Sequence, residues 1–261
     1  MQVAAGPHVA RKRFGQHFLA DRGIIERIVA AIDPQPDDPM VEIGPGLGAL
    51  TGPLLECVRH LHVIELDRDL AARLRESYPA ERLTVHEGDA LRFDFTTLPV
   101  ALRVVGNLPY NISTPLLFHI AAHAERCADL HFMLQQEVVE RMVAAPSQPE
   151  YGRLSVMLQY RFRLKRLFAV APGAFRPPPK VRSAVVRLAP RPATELHAAD
   201  EAVFARVVAK AFSMRRKTLR NALSGLISGA DLAELGVDPG LRAEALPVPA
   251  FVAIANRVAR P

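Results

Sequence analysis

A chain of 261 residues is long for one domain and short for two large ones, so a main domain with a small appendage is expected. Hydrophobic residues make up 49%, enough for a packed core, yet no apolar run approaches the ~18 residues of a membrane span and the first residues lack the apolar core of a secretory signal. The net charge is +6, and Cys57 and Cys127 form no metal or redox spacing, so a reduced cytoplasmic setting without metal or membrane is expected, with both thiols as packing residues.

Residues 21–32, DRGIIERIVAAI, place Ile24, Ile25, Ile28, Val29 and Ile32 at helical spacing. The Pro- and Asp-rich residues 33–39 end that helix in a turn. Strand and helix signals then alternate. Apolar runs at 40–44, 61–66, 83–88, 102–107 and 129–134 read as strands. Helical patterns occupy 49–59, 67–78 and 113–124, with a further helix running to about residue 144. Such alternation specifies an α/β fold, a mostly parallel sheet with helices on both faces. After Pro146 the pattern changes. Residues 151–160 read as helix, while 161–170 and 182–188 alternate with period 2 and read as two late strands around a Pro-rich loop, 172–180. Residues 189–194 read as a linker and 198–260 as a small all-α unit. The expected domains are therefore 1–190, whose first 20 residues form a mobile basic arm, and 191–261.

The charge is distributed unevenly. Residues 1–20 carry three positive charges and no acid, residues 21–150 are net −9, and residues 151–190 carry nine Arg or Lys and no acid. Basic segments flanking an acidic body point to a polyanion gripped at the edges.

The stretch VEIGPGLGALT (41–51) puts Gly44, Gly46 and Gly48 between the first of these strands and its helix, where ligands bind in open α/β sheets. The spacing also passes as a dinucleotide fingerprint. Glu65 ends the next strand and suits a ribose diol, which serves NAD and S-adenosylmethionine alike. Two features favour S-adenosylmethionine. Asp89 lies past the third strand, placed to accept from an adenine amino group, and GNLPYNIS (106–113) follows the fourth. Alone, Glu65 reads as a solvated strand end and Asp89 as a turn cap. Together and in this order, the four elements point to an amino-directed methyltransferase.

An adenine N6 amine is a weak nucleophile because its lone pair is delocalised into the ring. Useful groups are acceptors that take its N–H bonds and orient the lone pair. Asn107 Oδ1 and the Leu108 carbonyl are the candidates. Pro109 brings no competing N–H and stiffens the turn. Tyr110 offers a stacking face for a base that must be unpaired or flipped.

Across essentially its whole length the chain resembles the ribosomal RNA adenine dimethyltransferases of the KsgA/RsmA type. The matching stretches include RKRFGQHFL (11–19), VEIGPGLGALT (41–51), GNLPYNISTPLLFH (106–119), GAFRPPPKVRSAVV (173–186) and AFSMRRKTLRNAL (211–223). The resemblance implies a Rossmann-like class I methyltransferase that dimethylates two adjacent adenosines in a hairpin loop near the 3′ end of 16S rRNA, within the 30S subunit or its precursor. It implies cofactor contacts at His17, Leu19, Gly44, Gly46, Glu65, Asp89 and Asn107; at position 17 the family often has Asn. It also implies Phe175 as a second aromatic face opposite Tyr110. Expected RNA contacts are Arg11, Lys12 and Arg13 in the arm, and Arg215, Arg216, Lys217 and Arg220 in the helical unit. The spacings 216/220 and 217/220 would share a helix face. Arg161, Arg163, Lys165 and Arg166 add positive charge in the late strands, and the protein is expected to act as a monomer. Alternative readings are a resistance methylase acting on large-subunit rRNA and a non-catalytic assembly or transcription factor. A nicotinamide dehydrogenase leaves Asn107–Tyr110 unexplained.

Overall fold

The computed structural model describes residues 16–214 and 216–259. In chain order its elements are β1 (Phe18–Leu19), α1 (Arg22–Ile32), β2 (Met40–Ile43), α2 (Thr51–Cys57), β3 (Leu61–Glu65), α3 (Arg68–Ser77), β4 (Leu83–Glu87), β5 (Leu102–Asn107), α4 (Ser113–Ala121), β6 (Cys127–Gln135), α5 (Gln136–Val143), α6 (Arg153–Arg161), β7 (Phe162–Val170), β8 (Phe175–Arg176), β9 (Ser183–Pro190), α7 (Glu201–Ala211), α8 (Leu219–Ala222), α9 (Gly229–Glu234) and α10 (Val248–Ala259). The chain forms two compact units. One runs up to Val139 and resumes at Lys165–Pro190; the other joins Glu140–Leu164 to residues from Arg191 onward. Residues 140–164 thus cluster with the residues after Pro190, although they precede it in the chain. The cause is hydrophobic: Tyr151, Val156 and Tyr160 share a core with Phe204, Val207 and Phe251.

In the first unit the strand order is β4-β3-β2-β5-β6-β9-β7. Pairing is parallel from β4 through β6, and β9 runs antiparallel to β6. β2 is buried at every position, as expected of a central parallel strand covered on both faces. Chain order reverses between β2 and β5, because β3 lies on one side of β2 and β5 on the other. A crevice opens at that switch point, outside the carboxyl ends of the strands. Gly44 follows β2 there and Asn107 ends β5. At the other end of the sheet Arg103 fastens β5 in place. Its guanidinium donates to Asp129 Oδ1 (2.9 Å), Asp38 Oδ2 (2.6 Å) and the Asp33 carbonyl (3.0 Å).

Local signals explain the elements around the site. Asp21 caps α1 by accepting from the Ile24 N–H, and Asp67 caps α3 by accepting from the Asp69 N–H. β1 and β8, two residues each, form a separate antiparallel pair that joins Phe18 to Arg176 and Leu19 to Phe175. Neither is long enough to show a period, so neither was readable as a strand.

In the second unit α7 buries Phe204, Val207, Val208 and Ala211, the stripe of an amphipathic helix, and α10 buries Phe251, Ile254 and Ala255. Arg216 and Lys217 are exposed but do not share a helix face with Arg220. They lie in a turn closed by the Lys217 N–H donating to the Met214 carbonyl (3.0 Å), and α8 begins only at Leu219. Arg11, Lys12, Arg13 and Arg215 lie outside the described residues. Among the described residues no helix is long and apolar enough to cross a membrane.

Gly106 on β5 lies against the end of β2. A Cβ at this position would stand 2.6 Å from the Ile43 carbonyl oxygen, a backbone atom that cannot swing aside. Gly106→Ala is therefore expected to destabilise the protein by about 1–3 kcal/mol, read as a lower midpoint in denaturant unfolding. An unchanged midpoint would contradict this packing.

Candidate active site

A cavity of about 350 Å³ opens at the switch point, and Gly44, Glu65, Asp89, Asn107 and Tyr110 all face it. The other expected cofactor residues, His17, Leu19 and Gly46, also line it, as do Leu108 and Pro109. The cavity thus gathers residues that are up to about ninety positions apart in the chain.

Gly46 sits at φ 58°, and a Cβ there would meet the Phe18 ring at 3.1 Å, so both conformation and space require glycine. Its N–H donates to Glu65 Oε2 (3.1 Å), while the Asp67 N–H donates to Oε1 (2.8 Å). Glu65 is buried, and its two oxygens together offer about four acceptor positions, more than these two contacts use. Burial pushes its carboxyl above the ordinary range, against the backbone N–H groups of Asp67, Gly46 and Leu66 that favour the charged form. Asp89 accepts from the Leu91 N–H through Oδ1 (2.9 Å). It is a turn cap, and the cap holds its carboxylate at the cavity wall.

The acceptor motif is fixed from several sides. Asn107 Nδ2 donates to the His17 carbonyl (3.0 Å). A carbonyl can only accept, so this contact sets which end of the amide is nitrogen and leaves Oδ1 as an acceptor with no hydrogen-bond partner among the described residues. The Leu108 N–H donates to the Met133 carbonyl (3.1 Å). The Pro109 carbonyl is occupied, taking the Ser113 hydroxyl (2.9 Å) and the Ile112 N–H (3.2 Å). The Tyr110 hydroxyl is bonded to Ser183 Oγ (2.6 Å), and burial raises its pKa, so it stays protonated. The His17 ring stacks on Tyr110, with centroids 5.7 Å apart and planes at 28°, while its Nδ1 donates to the Pro177 carbonyl (2.9 Å).

The family model described as "Ribosomal RNA adenine dimethylase" matches residues 7–260. The chain belongs to the ribosomal RNA adenine dimethylase family. Curated relatives named "Ribosomal RNA small subunit methyltransferase A" include those of Aromatoleum aromaticum, 64% identical over 97% of this chain and 95% of the relative, and of Thiobacillus denitrificans, 64% identical over 95% and 97%. Similar solved structures include a dimethyladenosine transferase from Plasmodium falciparum, with a TM-score of 0.79 and 26% identity over 91% of this chain and 96% of that one. The 23S rRNA methyltransferase ErmE gives a TM-score of 0.70 and 27% identity over 93% and 100%. The sheet is that of a Rossmann-like class I methyltransferase, and this member of the family is an rRNA adenine methyltransferase.

Two features of this dimethylase-family site differ from the sequence reading. Phe175 is not an open aromatic face. Its side chain is fully buried and packs in the core with Leu19, Met133 and Val185, because β8 pairs with β1 and turns the ring inward. The ring that stands against Tyr110 is His17. The second feature is Glu42, which the sequence reading passed over although it interrupts the apolar run of β2. It is 2% exposed, lines the cavity and accepts from Thr51 Oγ1 (2.6 Å). Burial raises its pKa to about 7; the Thr51 hydrogen bond opposes the shift and the neighbouring Glu65 charge adds to it.

A carboxyl whose pKa is raised on folding stabilises the fold below its ordinary pKa, and that stabilisation is lost as pH rises through the folded value. Wild-type stability is therefore expected to fall as pH rises from about 4.5 through about 7, by an amount on the order of 3 kcal/mol. Glu42→Gln keeps an acceptor for Thr51 and removes the titration. It should match wild type at about pH 4 and exceed it at about pH 8 in thermal unfolding. The same pH slope in both proteins would contradict the assignment.

Proposed function

We propose that this enzyme uses S-adenosylmethionine to convert two adjacent adenosines, in a hairpin loop near the 3′ end of 16S rRNA, to N6,N6-dimethyladenosine. It would act as a cytoplasmic monomer on the 30S subunit or its precursor. The observation that carries the reading is the Asn107 amide, held with its nitrogen on the His17 carbonyl and its oxygen without a partner among the described residues.

The cavity suits the cofactor. Its volume of about 350 Å³ is that of a small-molecule site. Gly44 and Gly46 permit close approach of backbone, the spare lone pairs of Glu65 suit the ribose hydroxyls, and Asp89 suits the adenine amino group. His17 and Leu19 close the wall. Bound there, S-adenosylmethionine supplies an electrophilic methyl group on a positively charged sulfur. The chain's task is then to orient the amine. Asn107 Oδ1 and the Leu108 carbonyl take the two N–H bonds of N6 and aim its lone pair, and Tyr110 stacks on the ring. No strong base is needed before transfer. The relatives at 64% identity are named for the small subunit, whereas the 23S enzyme shares only 27%, which favours the small-subunit target.

Labelled-methyl transfer to undermethylated 30S particles, followed by nucleoside analysis, should yield dimethyladenosine. Asn107→Ala should lower kcat by at least about 10²-fold, the loss typical of removing one preorganised polar contact, while particle binding persists. Equal loss of both would make Asn107 structural. Glu65→Ala should weaken S-adenosylmethionine binding about 10- to 100-fold by calorimetry, as expected for hydrogen bonds to a charged group. Unchanged affinity would remove the ribose assignment.

A further inference from the structure

Residues 151–190 hold nine basic side chains and no acid. Several of these charges are already neutralised: Arg161 pairs with Glu201, Arg163 with Glu195, and Arg187 with Asp129. Lys180 and Arg182 differ. Both are exposed and neither has an acidic partner among the described residues. They lie on the loop between β8 and β9.

That loop is fastened to the rim of the cavity. The Pro177 carbonyl accepts from His17 Nδ1 (2.9 Å), and the Arg182 carbonyl accepts from the Gln136 N–H (2.9 Å) just past the carboxyl end of β6. Ser183, the next residue, holds the Tyr110 hydroxyl at 2.6 Å. At the start of the loop Arg176 donates to the carbonyls of Gly173 (3.1 Å) and Phe175 (2.9 Å). Pro177, Pro178 and Pro179 restrict φ at three successive positions. The two cations therefore ride on a loop whose shape is set before any partner arrives, which limits the entropy lost on binding. Between them Val181 is 45% exposed, an apolar side chain facing water. The cavity behind the rim is acidic, lined by Glu42, Glu65 and Asp89. No Lys or Arg lines it among the described residues, so the cations available to phosphate are those of the rim.

We propose that Lys180 and Arg182 hold the phosphates of single-stranded rRNA next to the adenosine that enters the cavity, with Val181 packing against a neighbouring sugar or base. This rests on the proposed reaction. Phosphate contacts at the rim position the strand without reading its sequence. They leave the flipped base to Tyr110 and Asn107.

The test is the double variant Lys180→Gln/Arg182→Gln in the full chain. Binding to undermethylated 30S particles is measured across a salt series, alongside methyl transfer and S-adenosylmethionine affinity. Particle affinity should fall about 10-fold or more at 0.1 M salt. The slope of log affinity against log salt should shrink by about 1.4, for two single-strand phosphate contacts. Cofactor affinity should not change, and Lys180→Arg/Arg182→Lys should restore particle binding. Wild-type affinity and slope in the double variant would overturn the proposal, as would failure of the charge-preserving pair to restore binding. Because binding is read apart from transfer, absence of methyl transfer by wild type would contradict the proposed reaction instead.

Discussion

A single hydrogen bond gives the site its polarity. Asn107 could present either nitrogen or oxygen to the cavity, and only the oxygen can accept from an amine. The His17 carbonyl decides the matter by taking the amide nitrogen at 3.0 Å. That carbonyl is in turn held by the two-residue pairing of β1 with β8, reinforced by the Ala20 N–H donating to the Ala174 carbonyl (2.8 Å). Phe175, buried beside Leu19, anchors the pair in the core. A short, unobtrusive strand pair thus sets the orientation of the acceptor, and the ring expected to stack on substrate serves to fix that pair.

The same polarity bears on the second methylation. In the proposed reaction N6 retains one N–H after the first transfer, so only one of the two proposed acceptors can be satisfied. An unpaired neutral amide oxygen costs less than an unpaired buried charge. Asn at position 107 therefore suits an enzyme that must act twice on one nitrogen. The acidic residues Glu65 and Glu42 line the same cavity, Glu65 held by the Gly46 and Asp67 N–H groups and Glu42 by Thr51.

Much of the fold was legible because its signals are local. Ile24, Ile28 and Ile32 mark a helix by spacing, and the glycine loop and GNLPYNIS fall at strand ends because the strands are apolar runs. Glu65, Asp89 and Asn107, expected at the cofactor from their order along the chain, line one cavity for the same reason. What was not legible depends on partners distant in sequence. β1 and β8 exist only through each other. Residues 140–164 join the helical unit because of side chains beyond residue 200 that share their core. The stacking of His17 on Tyr110 and the Ser183 contact depend on the register of β8 and β9. Glu42 did carry a signal, a carboxylate inside a buried strand, but its raised pKa follows from burial that only the fold reveals.

The most direct test of the account is Asn107→Asp. The substitution preserves size and Oδ1 but turns the donor facing His17 into a second acceptor. Single-turnover methyl transfer to undermethylated 30S particles at neutral pH, with mono- and dimethyladenosine resolved, measures the consequence. A slower first transfer and accumulation of monomethyladenosine are the expected result. Wild-type rates and wild-type proportions of the two products would contradict the claim that the neutral, oriented amide of Asn107 governs the reaction.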